Sequence, residues 1–336
     1  MSTDLGHRMD WLRASARFFD HRIGWHRVGY VLSVTIIAIA AVVLYRKLHN
    51  IDVGKLLTAM ATVEYRDVAI AALFVAGGYF TLTLYDLFAL RTIGRRDVPY
   101  RVAALAGFTS YSVGHNVGAS VFTGGAVRYR IYSVWGLDAV EVAKLCFIAG
   151  LTFWLGNATV LGFGFAYHPQ AASDIDQLPI WANRALGIAA LLVLVAYVGW
   201  VWRTPRVIGR QTWKVRLPSG PLTLLQIAIG IVDLTCCALA MYMLVPNEPH
   251  LQFIDVAVIF ITATLLGFAS HSPGGLGVFD AAMLVALWEY DAEALLAGLL
   301  IFRLLYYLLP FTLALAVLGV RELVLTLARR RDVCGR

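Results

Sequence analysis

The chain has 336 residues, of which 60% are hydrophobic and 15% are charged, and its mean hydropathy is +0.71. This composition excludes a soluble globular domain and predicts a protein whose solvent is the lipid bilayer. The net charge of +7 is therefore interpreted by the position of Lys and Arg along the chain, and not as a nucleic-acid-binding surface. The four cysteines lack metal-ligand spacing and no nucleotide motif is present, so we expect no metal and no cofactor.

The first predicted element is a polar segment, residues 1–27, that contains five arginines. An apolar span follows over residues 28–45, and because it continues past an Ala-Ile-Ala triplet that resembles a cleavage site, we interpret it as an uncleaved anchor. Residues 46–67 carry both charge signs and apolar side chains at helical spacing, which predicts a helix lying on the membrane surface. The second span is predicted over residues 68–90.

A broken hairpin is predicted over about residues 102–137, after a strongly basic loop. The region is apolar but is interrupted at residues 112–120 and again at 123–125. The part after the second interruption has about 11 residues, roughly 16 Å of helix, which is too short to cross a hydrocarbon core of ~30 Å. We therefore expect the chain to enter the membrane here and to return to the same side.

The second limb of this hairpin contains the sequence FTGGAVRYRIY. Thr123 can cap a helix, and Gly124 and Gly125 would leave the first N–H groups of that helix uncovered, which favours anion binding. Arg128 and Arg130 follow within two turns, so we interpret the five residues as a candidate site for a lipid headgroup. The alternative is that the two glycines only allow helices to pack closely.

Three further spans follow, and the loops between them alternate in charge. The first of these spans opens with a capping box at Asp138 and Glu141. The loop after it has aspartates and no Lys or Arg, whereas the next loop has five Lys or Arg. The three spans are predicted over residues 139–167, 181–202 and 222–245.

A second broken hairpin is predicted over about residues 251–290. Its sequence SHSPGGLGVFD repeats the Gly-Gly pair, and Ser272 followed by Pro273 is a standard helix start. A last span over residues 294–320 and a basic tail, residues 321–336, follow. The candidate substrate-binding residues of this hairpin are Ser272, Gly274, Gly275 and Asp280.

The distribution of Lys and Arg predicts the topology. The segments expected in the cytoplasm are residues 1–27, 91–101, 203–221 and 321–336, which hold five, four, five and five Lys or Arg, respectively. The loops expected outside hold none, except residues 46–67 with four. The pattern predicts an all-α polytopic membrane protein in which residues 28–320 form one domain of six crossing helices and two re-entrant broken-helix hairpins. Three crossings separate the hairpins, so they form an inverted-topology repeat, as in many secondary transporters.

Two charged residues are predicted near the middle of the membrane. Asp233 lies about 17 Å into its span from the cytoplasmic side, and Arg303 lies roughly 14 Å into the last span from outside. Each is costly alone in this environment, so we expect Asp233 and Arg303 to form a membrane-embedded charge pair or to line a hydrated cavity.

These motifs carry a family resemblance over roughly residues 28–320. FTGGAVRYRIY, followed by GLDAVEVAK and LTFWLG and later by SPGGLGVFD, resembles the membrane region of the MprF, or lysylphosphatidylglycerol synthetase, family and the related YbhN-like proteins. The resemblance implies a flippase-like domain, which in bifunctional members moves lysyl- or alanyl-phosphatidylglycerol between leaflets. A separate domain of those proteins makes the lipid from aminoacyl-tRNA; we expect this chain to be without it and therefore expect no aminoacyl transfer. Asp280 stands where many relatives are expected to have Glu.

The motifs and the resemblance favour a phospholipid translocator, without enzymatic activity, in the inner membrane of a bacterium with both termini cytoplasmic. The expected partners are a phospholipid and the bilayer, together with a lipid synthase or a second copy of the chain. The alternative is a non-transporting partner of a separate lipid synthase or envelope protein. A membrane-embedded lipid-modifying enzyme is less favoured, because the one tempting cluster, Ser270-His271-Ser272 with Asp280, matches no catalytic spacing.

Overall fold

The computed structural model describes residues 52–118, 120–204, 206–210, 213–246 and 252–334, together with Val42 and Tyr45. Within these ranges the chain is mostly helical, and five helices are long and apolar enough to cross a membrane. The predicted amino-terminal segment, residues 1–27, and all of the predicted first span except Val42 and Tyr45 lie outside the described residues. The five spans cover Tyr65–Thr92, Ala139–Tyr167, Ile180–Val201, Gly220–Tyr242 and Ala292–Val324.

The described elements follow one another with short connections. The helices are α1 (Val53–Thr62), α2 (Tyr65–Thr92), α3 (Tyr100–Val117), α4 (Ser120–Tyr132), α5 (Ala139–Tyr167), α6 (Pro169–Asp176), α7 (Ile180–Val201), α8 (Gly220–Tyr242), α9 (Phe253–Ala269), α10 (Val278–Ala286), α11 (Ala292–Arg303) and α12 (Leu309–Cys334). Two strands, β1 (Val207–Arg210) and β2 (Trp213–Arg216), lie between α7 and α8. Short 3-10 turns occupy Ser133–Trp135 and Pro273–Gly275, and a π-helical turn, Leu304–Leu308, joins α11 to α12.

The hairpin of β1 and β2 corrects the expectation that every regular element is helical. The strands pair antiparallel, with Val207 opposite Arg216 and Ile208 opposite Val215. β-branched residues on both strands favour this extended pairing, and Val215 is buried. The basic loop predicted over residues 203–221 is therefore a folded feature.

Helices α2, α5 and α8 form the centre of the bundle. The crossing of α5 and α8 depends on two glycines, because a Cβ atom on Gly156 would lie 2.8 Å from the backbone of Gly230. Small residues at a crossing allow two membrane helices to approach closely. Helix α1, at the position of the predicted surface helix, is capped by Asp52 and packs against α11.

Two pairs of short helices complete the bundle. In the first helix pair, α3 packs against α4, and Arg95 before α3 donates to the carbonyl oxygens of Trp135 and Gly136 after α4. In the second helix pair, α9 packs against α10, and both contact α6. Helix α5 starts beside the base of the first pair and ends beside the base of the second, where His168 Nδ1 lies 3.2 Å from Oδ1 of Asp255. The two bases therefore lie at opposite ends of a helix of 29 residues.

Candidate functional site

The first helix pair contributes a buried ion pair between Arg128 of α4 and Asp86 of α2. Arg128 Nε lies 3.0 and 3.1 Å from the two carboxylate oxygens, and Nη2 lies 2.7 Å from Oδ1. The hydroxyl of Tyr132, one turn further along α4, donates to Oδ2 at 2.8 Å. The Arg128 side chain is 6% exposed and that of Asp86 is 0% exposed, and the guanidinium stacks over the ring of Tyr111 at 4.6 Å. The ion pair thus neutralises both charges and also supplies hydrogen-bond donors to the Asp86 carboxylate.

The second helix pair contributes a matching ion pair between Asp280 of α10 and Arg303 of α11. Arg303 Nε and Nη2 donate to the two carboxylate oxygens at 2.9 and 2.7 Å, and Nη1 donates to the carbonyl of Gly274 at 3.2 Å. The backbone N–H of Gly277 donates to the same carboxylate at 3.1 Å. At 14% and 12% exposure, these side chains are more accessible than the first pair. Both ion pairs join an arginine to an aspartate, but the second ion pair is more exposed than the first.

The tips of the two helix pairs meet inside the bundle. A Cβ atom on Gly118, at the end of α3, would lie 3.4 Å from Cα of Pro273. Asn116 Nδ2 donates to the carbonyl of Tyr307 at 3.1 Å, in the π-helical turn that follows Arg303. Such a turn leaves carbonyl groups available to side chains and often marks a functional position. The ring of His115 lies among four aromatic rings from three elements, Tyr111, Phe268, Tyr306 and Tyr307.

The predicted pairing of Asp233 with Arg303 is wrong. Arg303 is bound to Asp280, whose helix precedes α11 directly. Asp233 faces α2 instead, where Thr81 and Tyr85 place hydroxyl groups 2.9 and 3.0 Å from its carboxyl oxygens. The sequence could not show towards which neighbouring helix each side chain points.

The predicted helix start at Thr123 is also wrong. Helix α4 begins at Ser120, so Gly124 and Gly125 lie inside it and their N–H groups are not at a helix start. Thr123 Oγ1 donates to the carbonyl of Gly118 at 3.0 Å. A Cβ atom on Gly124 would lie 3.0 Å from the Ser110 carbonyl oxygen of α3, which supports the alternative that this glycine allows the two helices to pack closely.

The second Gly-Gly pair has a different local structure. Ser272 and Pro273 begin a single 3-10 turn, and the α-helix itself starts only at Val278. Gly274 and Gly275 have φ angles of 60° and 62°, a left-handed conformation that side-chain-bearing residues rarely adopt. This backbone turns the Gly274 carbonyl towards Arg303. The hydroxyl of Ser272 is 2.8 Å from that of Ser270 and does not cap the turn.

Comparison with known proteins places the chain in a family. The family model described as lysylphosphatidylglycerol synthase TM region matches residues 30–314. The chain belongs to this family. The chain is similar to the uncharacterized protein slr0712 of Synechocystis, at 29% identity over 86% of this chain and 90% of the relative. The inner membrane protein YbhN of Escherichia coli is 28% identical over 75% of this chain and 80% of the relative.

Other members of the lysylphosphatidylglycerol synthase family are much longer than this chain. The phosphatidylglycerol lysyltransferase of Staphylococcus xylosus is 26% identical over 84% of this chain, but the match covers 33% of that protein. The chain thus spans about a third of the length of these relatives. The matched region of the family model includes both ion pairs, at residues 86, 128, 280 and 303.

Arg130, the other arginine of the predicted headgroup site, belongs to neither of the two buried ion pairs. It binds Glu322 of α12 at 2.8 Å, and the two side chains are 59% and 40% exposed. Gly125 packs loosely, since a Cβ atom there would meet nothing closer than Cys146 Sγ at 3.9 Å. The structure therefore brings Arg128 and Gly124 into the interior and leaves Arg130 and Gly125 outside the candidate site.

Sequence reasoning missed the partners of the buried charges. Asp86 is the only acidic residue in the predicted span 68–90, and an ionisable residue inside a span is a signal of function. Thr81 and Tyr85 are one helical turn apart, so a polar stripe on α2 could also be recognised. Among the described residues, no group of three or more His, Cys, Asp or Glu could hold a metal ion.

Proposed function

We propose that the protein is a phospholipid translocator and that the two buried ion pairs, Arg128–Asp86 and Arg303–Asp280, bind the lipid headgroup in turn. The observation that carries this proposal is their geometry: each guanidinium is held inside the bundle with one edge on an aspartate and one face on an aromatic ring. A guanidinium has five N–H donors, so donors remain for phosphate oxygens beyond those that bind the carboxylate.

The positions of the pairs support two binding stations that are reached from opposite faces. Arg128 lies about 12 Å of helix from Gly136 at the base of the first helix pair, and Arg303 lies about 16 Å from Ala292 at the start of α11. A bare guanidinium at such depth would be costly, and the aspartate neutralises it when no lipid is bound. A phosphate can then bind the guanidinium N–H groups that the carboxylate does not use, while the aspartate keeps its own hydrogen bonds to the arginine.

An apolar groove offers a matching path for an acyl chain. The cavity lies between α5, α8 and α9 and has a volume of ≈ 510 Å³. Its lining includes Phe163, Ile231 and Val258, and the His168–Asp255 contact lies at one end. An apolar channel with a polar end suits a lipid tail whose headgroup stays in the polar interior of the bundle.

The proposed membrane topology follows from the opposite bases and meeting tips of the two helix pairs. We place them as re-entrant hairpins that enter from opposite faces, and the apolar sequence of residues 28–45, which lies almost wholly outside the described residues, predicts the sixth crossing. The excess of Lys and Arg in residues 91–101 and 203–221 then puts both termini in the cytoplasm. The relatives from Escherichia coli and staphylococci support the inner membrane of a bacterium as the location.

For the substrate, we propose a phosphatidylglycerol or its aminoacylated form. The longer relatives are phosphatidylglycerol lysyltransferases by name, which identifies a lipid that family members encounter. A phosphate diester fits a guanidinium that offers paired N–H donors. The proposal for this chain is movement of the lipid, without transfer of an aminoacyl group.

The test is lipid exchange in liposomes that contain the purified full-length protein and a fluorescent phosphatidylglycerol. We expect Arg128→Ala and Arg303→Ala each to slow exchange roughly ten- to a hundredfold, because a hydrogen bond to a charged group contributes about 1.5–3 kcal/mol. The exchange rate of Arg128→Lys should lie between those of the wild type and Arg128→Ala, since lysine offers only a point charge.

The matched control is Arg130→Ala, which removes an arginine from the same helix at an exposed ion pair. It should exchange lipid at close to the wild-type rate. Wild-type rates in both Arg128→Ala and Arg303→Ala, in protein that retains its helical content, would exclude the two pairs as headgroup stations. Equal slowing in Arg130→Ala would show that the effect is not specific to the interior.

A further inference from the structure

Asp233 is a membrane-embedded carboxyl group that forms no salt bridge with any described residue. It lies on α8, and 4% of the residue is exposed. In the part of the chain that the structure describes, no Lys, Arg or His nitrogen lies within 4.0 Å of its carboxyl oxygens. The other two acidic residues of the bundle interior, Asp86 and Asp280, are each bound bidentately by an arginine. Asp233 must therefore be stabilised without an arginine partner.

The hydrogen bonds of Thr81 indicate how Asp233 is stabilised. Its Oγ1 lies 2.6 Å from the carbonyl oxygen of Gly78 and 2.9 Å from Oδ1 of Asp233. A hydroxyl group has one proton to donate, and a backbone carbonyl has none. Both distances are those of O–H···O bonds, and both contacts are hydrogen bonds only if the Thr81 proton goes to the Gly78 carbonyl, which cannot donate. The 2.9 Å contact then needs its proton from Asp233.

The second carboxyl oxygen has an ordinary donor. The hydroxyl of Tyr85 lies 3.0 Å from Oδ2 and donates to it, as it would to the carbonyl oxygen of a neutral carboxylic acid. Close helix approach makes this network possible, since a Cβ atom on Gly78 would lie 3.7 Å from Oδ1. Every polar atom of the carboxyl group is thereby satisfied by α2.

Among the described residues, the titratable groups that interact electrostatically with Asp233 are weak acids. None of them is cationic, and each would oppose a negative charge on Asp233 if it lost its own proton. They come from α2, α3, α8 and the π-helical turn: Tyr79, Tyr85, Tyr111, Cys236, Cys237 and Tyr306. A carboxylate in this position would have no electrostatic compensation.

We propose that Asp233 is a proton-binding site and that it is held at neutral pH as a carboxylic acid. Its Oδ1–H donates to Thr81 Oγ1, Thr81 Oγ1–H donates to the Gly78 carbonyl, and Tyr85 O–H donates to Asp233 Oδ2. The ligand of this site is a single proton, and carboxyl groups inside membrane spans form the proton relays of pumps and transporters. The inference rests on the hydrogen-bond geometry and stands independently of the proposed lipid movement.

The test is infrared spectroscopy of the purified full-length protein in lipid bilayers at neutral pH. We expect the wild type to show the C=O stretch of a protonated carboxylic acid, shifted to lower wavenumber in D₂O, and Asp233→Asn to lack it. The matched control is Glu322→Gln, which changes an exposed carboxylate and should keep the band. A wild-type minus Asp233→Asn spectrum that contains only carboxylate stretches would overturn the proposal.

A second variant keeps the test decisive if Asp233→Asn does not fold. Tyr85→Phe removes the hydroxyl that donates to the C=O oxygen, so the protonated-acid band should move to higher wavenumber without disappearing. If neither the wild type nor Tyr85→Phe shows a protonated-acid band, Asp233 is ionised and the assignment fails. The lipid-exchange proposal is unaffected by that result, because it depends on Arg128 and Arg303.

Discussion

Asp86 is the residue that makes a buried guanidinium compatible with the apolar centre of the bundle. Its carboxylate accepts three hydrogen bonds from Arg128 Nε and Nη2 and a fourth from Tyr132, and its side chain is fully buried. An ion pair of this kind adds little net stability compared with apolar side chains, but removal of one partner leaves an uncompensated charge. The residue-scale consequence is a strong coupling between positions 86 and 128.

We therefore predict that Asp86→Ala lowers the free energy of unfolding by about 3–5 kcal/mol, whereas the double variant Asp86→Ala with Arg128→Ala is less destabilised than the single one. The measurement is a double-mutant cycle from denaturant unfolding in detergent micelles. Glu322→Ala, which breaks the exposed pair with Arg130, is the control and should change stability little. Strictly additive losses at positions 86 and 128 would contradict the coupling.

At the scale of elements, the contact between α3 and α4 explains why one glycine of the first Gly-Gly pair matters more than the other. Gly124 faces the Ser110 carbonyl, and it also leaves space for the Arg128 guanidinium, whose Nη1 would lie 3.5 Å from an added Cβ atom. Gly125 points towards α5, with its nearest neighbour at 3.9 Å. The two glycines are adjacent in sequence but differ in the space around them.

From this difference we predict that Gly124→Leu lowers the free energy of unfolding by about 1–3 kcal/mol, as overpacking of a tight contact does. Gly124→Ala should have a smaller effect in the same direction, because α3 must shift by a few tenths of an ångström. Gly125→Ala, the matched control, should be neutral or slightly stabilising, since alanine is the better helix former. Greater harm from Gly125→Ala than from Gly124→Ala, by thermal unfolding, would refute this account.

The same helix pair shows how far the sequence predicts the structure. The apolar runs and their charged boundaries predicted the five described spans to within a few residues, since hydropathy determines where a chain can cross lipid. The start of α4 was misplaced because Thr123 has a capping side chain that bonds the Gly118 carbonyl instead. The partners of Arg128 and Arg303 depend on which helices face each other, and no local pattern in the sequence contains that information.

For the whole molecule, the decisive feature is that the two helix pairs have their bases at opposite ends of α5 and their tips in contact. Arg95 closes the first base against Gly136, while His168 and Asp255 mark the second. At the tips, Gly118 meets Pro273. If the hairpins are re-entrant from opposite faces, the loop between α5 and α7 and the loop between α7 and α8 must lie on opposite sides of the membrane.

This topology predicts opposite labelling of two exposed positions, Gln170 in α6 and Thr204 after α7. In a cysteine-free background, Gln170→Cys should react with a membrane-impermeant thiol reagent in cells whose outer membrane alone is opened. Thr204→Cys should react only after the inner membrane is permeabilised, because its loop carries five Lys or Arg and stays in the cytoplasm. Labelling of both positions from the same side would mean that α7 does not cross the membrane, and the six-crossing topology would then fail.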